Sequence, residues 1–131
     1  MPAKLRDLLD LSEARYFAGA LEDARLLLTV QIETEWFQRL PAQDQAALRL
    51  QLGKLLVAAI FMEGCDGEAA RQQLEIAKSI GEPKQRAAAT DLIGLACYYE
   101  QLPLDRPDFT QARAEFEAAL QAREAWGTRG S

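Results

Sequence analysis

Few side chains in this sequence are suited to covalent chemistry, and their spacing argues against it. The chain has no histidine, so the side chain that most often moves protons near neutral pH is missing. A serine or cysteine nucleophile would need an unusual lysine partner. Cys65 and Cys97 are too far apart for a metal or redox pair motif, and zinc would have to draw on two thiols and carboxylates. Cys97 falls on an apolar helical face and reads as a small core residue, whereas Cys65 stands in a turn between Gly64 and Asp66. Neighbouring carboxylates such as Glu22 with Asp23, or Glu115 with Glu117, read as solvated helix faces. Gly64 and Gly67 lack the strand and the Lys-Ser/Thr of a phosphate-cradling loop. The expectation is a non-enzyme with no catalytic residue, cofactor or metal.

The elements that would position any site are helical. Ala, Leu, Glu, Gln and Arg dominate while Gly, Pro and β-branched residues are sparse, which favours helix nearly everywhere and predicts an all-α domain. A length of 131 residues suits a single domain with a real core. Apolar spacing predicts a first helix from Lys4 to Phe17, ended by Gly19, and one long second helix from about Ala20 to Arg39, stopped by Pro41. Trp36 and Phe37 point about 100° apart on that helix, so only one of them can face a given partner. The other covers the corner or forms a contact site on another molecule. A third helix starts near Ala42 and is apolar over more than one face, as a central helix must be. Gly64 to Gly67 make a corner, a fourth helix runs from Glu68 to Ile80, and Gly81-Glu82-Pro83 stops it and starts a fifth. The fifth and sixth flank a link containing Pro103 and Pro107.

Three landmarks recur along these helices. Bulky residues end each odd-numbered predicted helix: Tyr16-Phe17, Phe61-Met62 and Tyr98-Tyr99. The following helices open with Glu22-Asp23-Ala24-Arg25, Glu68-Ala69-Ala70-Arg71 and Thr110-Gln111-Ala112-Arg113, and four residues after each of those alanines stands Leu28, Leu74 or Phe116. The run Leu11 to Ala24, with glycine at the corner, resembles the tetratricopeptide repeat, although Ser12 stands where glycine is usual. The repeat spacing is irregular and longer than the ~34 residues usual for that unit. The resemblance implies three stacked antiparallel helical hairpins, about six helices in a right-handed superhelix, spanning residues 1–126 as one domain.

The same resemblance implies a concave surface lined by the first helix of each hairpin, holding a peptide or helix of a protein partner. Its inward positions would be Arg6, Leu9, Glu13, Tyr16 and Phe17 on the first such helix. Gln51, Lys54, Ala58, Phe61 and Met62 follow on the second, and Asp91, Leu95, Tyr98 and Tyr99 on the third. Tyrosine and phenylalanine offer large contact area at small entropic cost. The alternative is that Tyr16, Phe61 and Tyr98 wedge adjacent hairpins together, where a buried ring contributes about 1.5–3 kcal/mol to folding. Arg6 and Lys54 are too few for a clamp on a terminal carboxylate.

A net charge of −5 and scattered arginines give no basic stripe, so nucleic acid is not expected as a partner. Nor is a membrane, since no stretch reads as about 20 consecutive apolar residues and the amino end lacks the core of a signal peptide. A cytoplasmic location is the expectation. Residues 127–131, Gly-Thr-Arg-Gly-Ser, read as a flexible tail of the kind an expression vector leaves behind. The sixth helix, with Phe116, Leu120 and Trp126, has no polar capping helix after it. Either Trp126 folds back or a second copy covers that end. Two further readings are therefore a small acidic secretion-type chaperone acting as a homodimer, and a structural or oligomerisation module.

Overall fold

The computed structural model describes residues 1–130, with side chains through Ala125. The chain is all-α, with no strand among the described residues. Its helices are α1 (Ala3–Phe17), α2 (Leu21–Ile32), α3 (Glu35–Gln38), α4 (Ala42–Glu63), α5 (Glu68–Ile80), α6 (Pro83–Gln101) and α7 (Thr110–Gly130). The expectation for the Trp126 side chain lies outside the described residues, whereas the expected flexible tail from Gly127 is corrected by the backbone, which continues α7 as helix through Gly130.

Local chemistry explains most boundaries. Gly19 (φ 85°) and Gly64 (φ 70°) follow α1 and α4 in the left-handed conformation that costs a side chain energy. At the start of α6, Glu82 and Gln85 form a reciprocal capping box and Pro83 occupies the first turn. Before α7, Asp108 accepts a hydrogen bond from the Thr110 backbone N–H (3.0 Å). The Thr110 hydroxyl and that N–H hold the Asp108 carboxyl below its ordinary pKa.

One boundary departs from the sequence reading. The long second helix is cut in two, giving seven helices among the described residues where about six were expected. Thr34 is the cause: its Oγ1 donates to the Gln31 carbonyl (2.6 Å) and accepts from the Phe37 N–H (3.2 Å). The hydroxyl thus ends one helical ladder and caps the next. The restart turns Phe37 into the core at 1 % exposure, while Trp36 is half-buried beneath the Lys4 ammonium, 4.2 Å from its ring.

The helices pack as successive pairs. α1 contacts α2, α4 contacts α5 and α6 contacts α7, and α4 touches both other first helices. Side-chain bonds between first helices join residues 38 to 42 apart, Glu13 with Gln51 and Lys54, and Gln43 with Gln85. Ser12 meets Gln51 and Tyr16 meets Lys54, while Gln43 meets Gln85 and Phe61 meets Tyr99, so residue numbers rise together along both contacts and α1, α4 and α6 run parallel. Along the α6–α7 contact, Asp91 meets Arg123 and Tyr98 meets Phe109, so that pair is antiparallel.

α4 serves two apolar clusters at once. Leu48, Leu52, Leu55 and Ala59 join Leu5, Leu28 and Phe37, while Val57 and Ile60 join Leu74, Ile93 and Ala96. This double duty makes α4 apolar all round, and at a mean hydropathy of 1.3 it is long and apolar enough to cross a membrane by composition, unlike any helix expected. It lies within the bundle, covered by α1, α2, α5 and α6. Gly53 lets α5 approach: a Cβ there would press into the Leu74 side chain.

Candidate functional site

The parallel first helices leave a groove of about 240 Å³ on their common face. Tyr16 enters it from α1, Lys54, Phe61 and Met62 from α4, and Leu95 and Tyr99 from α6. These positions follow helical spacing: Phe61 and Met62 lie two turns beyond Lys54 on α4, and Leu95 and Tyr99 one turn apart on α6. Phe61 and Met62 stand 64 % and 59 % exposed although both are large and apolar. The Phe61 ring leans on Tyr99, with centroids 4.9 Å apart, so one wall is preassembled from two rings. The apolar surface continues past Phe61 and Tyr99 to Leu102 and Pro103 in the link after α6.

Charge enters this groove at one point. Lys54 Nζ donates to Glu13 Oε1 (2.8 Å) and lies 6.0 Å from the Tyr16 ring centroid. Gln51 Nε2 also donates to Glu13, and further to Ser12 Oγ (3.3 Å). The hydrogen bonds from Lys54 and Gln51 hold the Glu13 carboxyl below its ordinary pKa, against a smaller opposing effect of burial. Ser12, fully buried, is satisfied by its own bond to the Leu9 carbonyl (2.8 Å) and by Gln51. The hydroxyl thus joins the polar seam between α1 and α4.

Not every expected position faces the groove. Asp91 accepts from Arg123 Nη2 (3.0 Å) and so faces α7. Tyr98 packs on Phe109, with centroids 5.1 Å apart, and lines a different depression with α7. Tyr98 points about 100° away from Tyr99 on α6, toward α7 and Phe109. The same geometry separates Tyr16 from Phe17, which is 77 % exposed and reaches the groove only by leaning on Tyr16 (5.5 Å). Arg6 is exposed on α1, two turns before Glu13 and about 10 Å from it along the axis, outside the lining.

The groove also uses residues that the sequence reading passed over. Val57 lies one turn before Phe61 and Leu92 one turn before Leu95, and both line it. Their signal was the i, i+3, i+4 spacing from residues already chosen. A second polar cleft lies between α5, α6 and α7, where Arg71 donates to Glu100 beside Glu75, Cys97 and Glu115. Burial pushes the Cys97 thiol above its ordinary pKa, with Arg71 opposing and Glu115 reinforcing. No group of three or more metal-ligating side chains occurs among the described residues.

Compared with models of known protein families, with curated proteins and with solved structures, the chain matches none.

Proposed function

We propose that this chain is a tetratricopeptide-like interaction module, without catalytic activity, that holds an apolar peptide or helix of a partner protein in the α1–α4–α6 groove. The observation that carries this reading is the pair Phe61 and Met62, left largely exposed on a wall that Tyr99 already buttresses. Aromatic surface that is pre-positioned and half desolvated loses little entropy on contact, which is the physical basis of an interface anchor. The parallel first helices and the similar 38–42 residue separation of their contacts support the repeat reading and a superhelical stack. A formal charge of −5 supports a protein partner over a polyanion.

The test is a selection of short peptides from a random displayed library, followed by titration of the enriched sequences. Enriched peptides should share apolar or aromatic anchors at helical or alternate spacing. Phe61→Ala should weaken them by about thirtyfold, the scale of a hot-spot residue. Because Phe61 is exposed, the thermal midpoint should move by only a few degrees. Peptides that bind Phe61→Ala and Tyr99→Ala as tightly as the wild type would refute the groove as the site.

A further inference from the structure

A second apolar depression, about 390 Å³, lies where α7 meets α6. Tyr98 of α6, Phe109 at the entry to α7, and Phe116 and Leu120 on α7 supply its apolar lining. Leu120 is 55 % exposed, while Ala112 and Ala119 on the same helix are the buried residues. An exposed apolar row rimmed by charged side chains has the make-up of a contact surface and not of a solvated helix face. Arg113 and Glu117 flank the row one turn apart. Neither has an ion-pair or side-chain hydrogen-bond partner among the described residues. They do not pair with each other, and arginine preceding an acid is the less favourable order along a helix.

We propose that a second copy of this chain covers the row, through an antiparallel α7–α7 contact about a two-fold axis near position 115. In such a contact residue i of one copy meets residue j of the other, and j meets i. One axis then joins Phe109 to Leu120 of the second copy and Arg113 to Glu117 of the second copy. The midpoints of these two pairs differ by half a residue, about 0.8 Å along the helix. A single rotation therefore brings apolar residues together and opposite charges together, twice each. Head-to-tail stacking of α7 on the α1–α2 end, where Leu26 and Val30 are exposed, would give the two charges no such reciprocity. It would also leave an open end and grow. The contact is independent of the α1–α4–α6 groove.

Sedimentation velocity on the full chain, from micromolar to submillimolar concentration, tests it. The wild type should show a reversible monomer–dimer equilibrium that stops at the dimer. Arg113→Glu and Glu117→Arg should each raise the dimer Kd by about tenfold or more, since each places like charges face to face at two symmetric positions. The double reversal, Arg113→Glu with Glu117→Arg, restores opposite pairs and should return Kd to within about threefold of wild type. Arg113 and Glu117 are both exposed, so circular dichroism should report unchanged helix in all three variants. A monomer at every concentration, growth past the dimer, or a double variant no tighter than the single ones each overturns the proposal.

Discussion

Glu13 concentrates the polar chemistry of the groove in one side chain. It accepts from Lys54 and Gln51, and through them ties α1 to α4. Glu13 and Lys54 are both part exposed, so the pair is screened and is worth about 0.5 kcal/mol, as for other surface pairs. The sign of its pH dependence is fixed by the direction of the shift. The folded carboxyl titrates below its ordinary value near 4.5, so the stabilisation is complete above that pH and is lost as pH falls through the folded value. Glu13→Gln should therefore be less stable than wild type in urea at pH 7, and the two should converge on acidification toward pH 3. A gap that stays constant across that range would mean that packing, and not charge, distinguishes the variants. Freed from Glu13, Lys54 would also swing over the groove, so a partner carrying a carboxylate should gain from the same substitution.

Elements meet where small residues let them. A Cβ on Gly53 would press on Leu74, which is fully buried and closes the α4–α5 contact. Gly53→Ala gains up to about 1 kcal/mol of helix propensity. Overpacking of a filled core costs about 1–3 kcal/mol. The clash, well inside contact distance, should win. A net loss of about 1–2 kcal/mol in the unfolding free energy is expected, and a neutral or stabilised variant would show that Leu74 has room to move. The breaks at Gly19, Gly64 and Pro83 were legible in the sequence because glycine and proline act on their own backbone, whereas the approach at Gly53 depends on where Leu74 of another helix lies. Thr34 was not, because its effect depends on a hydroxyl choosing the Gln31 carbonyl and the Phe37 N–H over water. The groove was legible as a set of helices and less so as a set of faces. Paired landmarks mark where a helix ends but not which way each member faces: Phe61 and Met62 share the groove, whereas Tyr98 and Tyr99 face different neighbours. Asp91 shows the same limit, since its partner Arg123 lies 32 residues away on a helix whose rotation only packing fixes.

Across the whole molecule, cohesion is uneven. α4 takes part in both large apolar clusters, whereas the buried side chains of α7 among the described residues are two alanines, Ala112 and Ala119. On the repeat reading proposed above, each unit is held by its neighbours as in a one-dimensional stack, so α7, which buries little, should open before the central α4. Native-state hydrogen exchange should accordingly show α4 amides between Leu48 and Ile60 exchanging only with global unfolding. Those of α7 should exchange at least about tenfold faster, through an opening that leaves α1 to α5 closed. The α7 rate also carries information that the α4 rate does not. If a second copy covers Phe116 and Leu120, every opening of α7 must first break the dimer, and mass action will slow α7 exchange as protein concentration rises. α1 and α2 lie at the far end of the array and should exchange at a rate independent of concentration. Uniform protection along the chain would contradict the stack itself, and concentration-independent exchange in α7 would separate a loosely held terminal helix from one that waits for its partner.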